Sequence, residues 1–139
     1  MPTITIDTPT LPPPGRRAIA VRLTRWLSRR GVEPAHVVVR FVDTPGGSVF
    51  SGGMPLDALP RGGSPLHHAS VVCCVGADRD EEFRAALAGE IAAALGSTED
   101  TPFLYIEFRP TRPGHVHLVR HGRLVRADEP ALPSTQGAS

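Results

Sequence analysis

Lysine is absent from this sequence: all fifteen basic residues are arginine. No side chain can therefore form a Schiff base with a carbonyl compound, and an α-amine is the one amine nucleophile the chain can offer. Anion binding falls to arginine, histidine or backbone N–H groups. A coding bias toward arginine accounts for the pattern, and the chemical consequence holds regardless. An excess of charge of one sign is missing too. Fifteen basic against fourteen acidic residues leave a formal net charge of +1, which favours neither nucleic acid nor an anionic membrane as main partner. No apolar run is long enough to span a bilayer. The start MPTITID has neither the basic opening nor the apolar core of a signal peptide, so a cytoplasmic protein is expected. Cysteine is scarce: Cys73 and Cys74 are adjacent, and a strand sends neighbours to opposite faces, which argues against a structural disulfide. Both lie in an apolar stretch where thiols are inert as nucleophiles.

What is there fits one domain, or two small repeats sharing a core. The chain has 139 residues, 40% of them hydrophobic, enough to bury a core without staples. Thr3 to Asp7 alternates with β-branched residues and predicts a strand. The Pro12-Pro13-Pro14-Gly15 run blocks regular structure and leads into a helix from Arg16 to Arg30. Its apolar face is Ile19, Leu23, Trp26 and Leu27, and Gly31 stops it. His36 to Asp43 reads as a strand apolar enough to be buried on both faces. GGSVFSGG, from Gly46 to Gly53, holds a short extended piece, and Met54 to Pro65 reads as a loop.

The pattern then repeats. Leu66 to Val75 is a strand. Asp78 with Glu81 three residues on is a capping-box signature. The helix after it carries Phe83, Leu87, Ile91, Ala94 and Leu95 on one face and stops at Gly96. Phe103 to Phe108 is a strand on which Phe103, Tyr105 and Glu107 share one face and Leu104, Ile106 and Phe108 the other. His115 to Val125 is a hairpin turning at His121-Gly122. The Pro-, Ser- and Gly-rich tail, 127–139, reads as disordered.

The predicted architecture is α+β: two tandem β-α-β units, right-handed by rule, form a four-stranded mixed sheet with two helices on one face, plus short hairpin strands. The other sheet face is left uncovered. Val37–Val42 and Val71–Val75 look too apolar to face water there, which predicts a closed symmetric oligomer.

A Met-Pro start, two βαβ units and the VFSGG segment at Val49–Gly53 together resemble the tautomerase superfamily, which includes 4-oxalocrotonate tautomerase and macrophage migration inhibitory factor. The long form is similar to the cis-3-chloroacrylic acid dehalogenase group. The resemblance covers roughly residues 2–125, and RHGRLV (Arg120–Val125) resembles the closing segment of that group more weakly. It implies one domain over 1–126, with pseudo-repeats 2–53 and 66–125, assembled as a homotrimer. It implies an enzyme without metal or cofactor, acting on a small molecule, with Pro2 at the base of an apolar pocket near a subunit boundary.

On chemical grounds Pro2 is a strong candidate. Removal of Met1 leaves a secondary amine in a ring. An α-amine titrates near ~8 in water and lower in apolar surroundings, so it can take and give a proton near neutrality or form an iminium ion. By resemblance, Arg79 matches one of two carboxylate-binding arginines, and the place of the other falls on Gly76. Arg79 can equally be a solvent-exposed neighbour of the helix cap. Arg40 interrupts an apolar strand and lies two residues from an arginine of the short tautomerases, so it either lines the pocket or does not reach it. Phe50, in the VFSGG match, is a candidate substrate contact. Tyr105 matches a substrate-orienting tyrosine or is an ordinary packing aromatic. The carboxylate that activates water in the dehalogenase group falls on Arg120, and a helix histidine of that group falls on Leu27. Hydrolytic dehalogenation is therefore in doubt, although Glu107 could supply a carboxylate from elsewhere.

Six histidines remain. His67 and His68 are adjacent, so a strand sends them to opposite faces. His115 and His117 share a face but have no cysteine or carboxylate at recognised spacing to complete a metal site, and no metal is expected. Two function classes stay open: a Pro2-dependent tautomerase acting on a small enol, 2-oxo acid or unsaturated acid, with iminium-type addition or hydratase and decarboxylase chemistry as variants; or a non-catalytic trimeric binding or scaffold protein of the same fold.

Overall fold

A helix can begin on proline because the first turn has no internal partner for its N–H groups. That decides where the first helix starts in the computed structural model, which describes residues 2–130. Strand β1 is Thr3–Thr8, and helix α1 is Pro13–Ser28 with proline at its first two positions. The proline run thus belongs to the helix rather than preceding it. Ile19, Leu23, Trp26 and Leu27 are its buried face, as the spacing requires.

A short 3-10 turn at Pro34–His36 leads to β2, Val38–Asp43. Two hairpin strands follow, β3 at Phe50–Ser51 and β4 at Met54–Pro55. They turn through Gly52 and Gly53, both at positive φ, and Leu56–Ala58 forms a second 3-10 turn. Strand β5 is His68–Gly76, helix α2 is Glu81–Leu95, and β6 is Phe103–Thr111. The cap of α2 is Asp80, which accepts from the Phe83 amide at 2.8 Å; the expected Asp78–Glu81 box is two residues out of register. Gly96 ends α2 in the left-handed conformation with φ 80°. A final hairpin joins β7, His117–Arg120, to β8, Arg123–Arg126. It turns at His121-Gly122, both at positive φ, as a tight primed turn requires.

The main sheet has the order β2-β1-β5-β6. β1–β2 and β5–β6 are parallel pairs, as βαβ units demand, and β1–β5 is antiparallel. The two units also superpose in number. Adding 65 to Thr3 and Val38, a register pair of the first unit, gives His68 and Phe103, a register pair of the second. Ile4, Ile6, Val71 and Cys73 point to the helices and are fully buried with Leu23, Leu27, Leu87 and Ile91. Burial pushes the Cys73 thiol up to about 12, as expected of an inert core sulfur.

β2 is not buried on both faces. It is an edge strand with Val38, Arg40 and Asp43 exposed. The apolar side chains Val39 and Phe41 turn toward the core, so the uncovered sheet face is mixed rather than apolar. Thr3, Thr5 and Asp7 of β1, Ser70, Val72 and Cys74 of β5, and Tyr105, Glu107 and Arg109 of β6 share it by register. No helix among the described residues is long and apolar enough to cross a membrane. The expected disordered tail lies mostly outside the described residues; Ala127, at its start, donates its amide to the Val116 carbonyl at 2.8 Å.

Ile6 lies at the centre of this core. Ile6→Ala should cost about 2–5 kcal/mol of unfolding free energy. Asp80→Ala should cost about 1 kcal/mol through the lost cap, and Asp78→Ala no more than about 0.5. Urea denaturation of the three variants checks the order.

Candidate active site

Pro2 precedes β1 and is buried. Its carbonyl accepts from the Val38 amide at 3.1 Å, which extends the β1–β2 ladder by one bond and fixes the residue against the neighbouring strand. By strand alternation Pro2 shares the helix-facing side with Ile4 and Ile6. The β1–β5 register, continued one step beyond Thr3↔Cys74, brings it level with Val75, close to where β5 ends.

That end of the sheet carries arginines and carboxylates together. Arg79 follows β5, with its amide bonded to the Gly76 carbonyl at 3.1 Å. Its guanidinium lies 4.5 Å from the Phe83 ring centre, and Phe83 in turn contacts Trp26 at 5.7 Å. Arg30 covers Trp26 at 3.5 Å. Arg30, Arg79 and Phe83 line an open cleft of about 550 Å³ together with Asp78, Asp80 and Glu82. A second groove, about 790 Å³, lies between the turn before β2 and the last hairpin, with Glu33, His36, Leu118 and Arg120 among its walls. Arg120 Nε is buried there without a hydrogen-bond partner, while its Nη1 donates to the Glu129 carbonyl at 3.5 Å. The sequence carried no signal for that burial, because only the tertiary contact of hairpin and turn buries the group.

The other candidates are elsewhere in the protomer. Arg40 pairs with Thr5 on the open sheet face, about 10 Å along the strands from Pro2 at ~3.3 Å per residue, and on the opposite side. Tyr105 is paired with Ser70, which is level with Asp7, so it lies about 17 Å along and two strands across. The repeat relation makes Arg40 and Tyr105 equivalent positions, 65 apart, each on an edge strand. Phe50 is 58% exposed on the hairpin that leaves β2 at the end remote from Pro2. One protomer therefore brings Arg79 to the Pro2 end and leaves Arg40, Tyr105 and Phe50 apart from it. Leu27, where the resemblance implied a histidine, is a fully buried core residue.

On the open face Tyr105, Glu107 and Arg109 form a ladder. The Tyr105 hydroxyl donates to Glu107 Oε1 at 2.9 Å, and Arg109 Nε donates to Oε2 at 2.7 Å. Arg109 chiefly, then Tyr105, holds the Glu107 carboxyl below its ordinary range. The Tyr105 phenol is raised, first by donating to that carboxylate and then by its charge. Glu107 is thus a satisfied carboxylate rather than a free base.

His67 and His68 are not on opposite faces. β5 begins at His68, so His67 lies outside the strand and strand alternation does not set the direction of its ring. The rings stand 5.3 Å apart beside Asp57. His115 closes a 3-10 turn and His117 opens β7, both exposed.

No family model matches the chain, and no curated protein matches it in sequence. Solved structures do match. N1, a member of the cis-3-chloroacrylic acid dehalogenase (cis-CaaD) family, aligns with a TM-score of 0.64 over 98% of this chain and 88% of its own, at 15% identity. The wild-type R7 fused 4-OT, an asymmetric trimer, gives 0.62 over 90% and 97%, at 17% identity. The chain has the tautomerase-superfamily fold. FG41 malonate semialdehyde decarboxylase, solved with the inhibitor 3-bromopropiolate, shares it as well, with a TM-score of 0.60 over 86% and 90% at 17% identity.

The chain has a single tyrosine, so phenolate absorbance followed against pH reads Tyr105 alone. Its titration should begin above the ordinary tyrosine range, and Glu107→Gln should move it down. An unchanged curve in the variant would exclude the ladder.

Proposed function

We propose that the protein is a tautomerase-like enzyme in which Pro2, freed by removal of Met1, acts as general acid and base. Its substrate would be a small 2-oxo, enol or unsaturated acid. The observation that carries this reading is the placement of Pro2: buried, hydrogen-bonded through its carbonyl to β2, and at the end of a tautomerase-superfamily sheet to which Arg79 belongs. An amine held among apolar neighbours loses its preference for the charged form and approaches neutrality as a base. It removes a proton from the carbon beside the carbonyl and returns it to the other end of the enol. The same group can instead attack a carbonyl, and the absence of lysine leaves no competing amine.

The acid end of such a substrate needs a cation. Arg79 stands at the Pro2 end of the sheet, and Arg120 is among the walls of the second groove. Inhibition of a structurally similar decarboxylase by 3-bromopropiolate, a small unsaturated acid, agrees with this substrate class. The trimeric fused 4-OT supports a homotrimer for this chain. In that assembly Tyr105, Arg40 and Phe50 would reach a site only by crossing to a neighbouring copy. A carboxylate at Arg120 would have favoured water addition; its replacement by a cation favours proton transfer.

Intact-mass measurement should show Met1 removed. The mature protein should interconvert the tautomers of phenylpyruvate or 2-hydroxymuconate, and Pro2→Ala should lower the rate at least about a hundredfold. Retained Met1, or equal rates for the two proteins, excludes this mechanism and leaves a binding protein of the same fold.

A further inference from the structure

The two repeats give the sheet two corresponding ends. The relation that carries Thr3 onto His68 carries Pro2 onto His67. One end of the sheet therefore holds the proline, and the equivalent place at the other holds a histidine. His67 does not stand alone. His68 is only 3% exposed, and its Nε2 lies 3.1 Å from Asp57 Oδ1. One ligand atom from each of Asp57, His67 and His68 falls within 4.8 Å of the other two, the only such group among the described residues.

The surroundings of these three side chains are those of metal ligands. A ligating histidine donates its second ring N–H to a carbonyl or carboxylate, which fixes the ring and its tautomer. His67 Nε2 lies 2.9 Å from the Leu59 carbonyl oxygen. A carbonyl only accepts, so Nε2 carries the hydrogen and Nδ1 keeps the lone pair that a metal takes. Asp57 is anchored from behind: the Gly47 amide donates to Oδ2 at 2.6 Å and leaves Oδ1 toward His68. Ligands of a tetrahedral zinc at about 2.0–2.1 Å stand about 3.3 Å from each other, close to the His68–Asp57 separation. The Asp57 side chain is 44% exposed, so the group is open to solvent on one side. Thr8 Oγ1, donating to the His68 carbonyl at 2.9 Å, ties the site to the end of β1.

We propose that Asp57, His67 and His68 form a site for a first-row divalent cation, zinc in the first place, at the end of the sheet that corresponds to the proline end. Two imidazoles and one carboxylate suit zinc and leave a fourth position for water. On binding, His68 takes the tautomer with its one ring hydrogen on Nδ1, so that Nε2 offers its lone pair, and the metal takes the place of the hydrogen between Nε2 and Asp57. The ion joins the 45–67 segment to the start of β5.

Calorimetric titration of the metal-free full-length protein with zinc should show one saturable ion per protomer. Cobalt should give the visible absorption of a four-coordinate nitrogen and oxygen site. Asp57→Asn and His67→Gln should each weaken binding at least tenfold, with folding checked by circular dichroism. The His115→Gln/His117→Gln double variant should bind as the parent does. Pro2→Ala should also bind zinc unchanged, so the result stands apart from the catalytic reading. Failure to saturate, or binding lost in the His115/His117 variant and kept in Asp57→Asn, overturns the proposal. If one single variant fails to fold, the other decides.

Discussion

The antiparallel junction of β1 with β5 is the contact on which the rest of the structure depends. Each βαβ unit alone has a two-stranded sheet, a size that is marginal in water. Joined at β1 and β5, the units share one core, with Ile4 and Ile6 from one side and Val71 and Cys73 from the other. The junction makes β1 a central strand, paired on both sides, and the Pro2 carbonyl continues one of those pairings. A residue at a chain terminus is ordinarily frayed. Here it is held because the strand behind it is paired on both sides.

Much of this was legible in the sequence. Helical spacing identified the buried faces of both helices, since Ile19, Leu23, Trp26 and Leu27 can face one way only. The His121-Gly122 turn and the glycine helix stop were equally direct, because few residues tolerate positive φ. Boundaries were less readable. The proline run reads as a breaker unless its place at a helix start is known. Asp78 and Asp80 compete for one cap, and only the path of the chain out of β5 decides between them. The apolar look of β2 misled because a run of valines shows composition and not edge position; Arg40 was the sign that one face meets water.

The candidate site was less legible than the fold, and the reason is distance. Pro2 and Arg79 lie at one end of the sheet because β5 runs back toward the start of β1, which the doubled pattern implies. Asp57 meets His67 and His68 through a hairpin and a 3-10 turn, whose course depends on Gly52, Gly53 and the buried Leu56. No periodicity announces such a path. Strand alternation even gave the wrong relation for the two histidines, because the strand starts between them. The buried Nε of Arg120 is hidden for the same reason: hairpin and turn are remote in sequence.

Fusion of two βαβ units into one chain also sets a stoichiometry. A free α-amine exists only where a chain begins, so two units share a single one. His67 occupies the place corresponding to Pro2 but is linked to Leu66 by a peptide bond, and no processing of a terminus can give it an amine. Under the proposed mechanism, an assembly of these chains would offer amine chemistry at half of its equivalent sheet ends. The remaining half would be released from the requirement to be proline, and its residues could change without touching the proposed reaction.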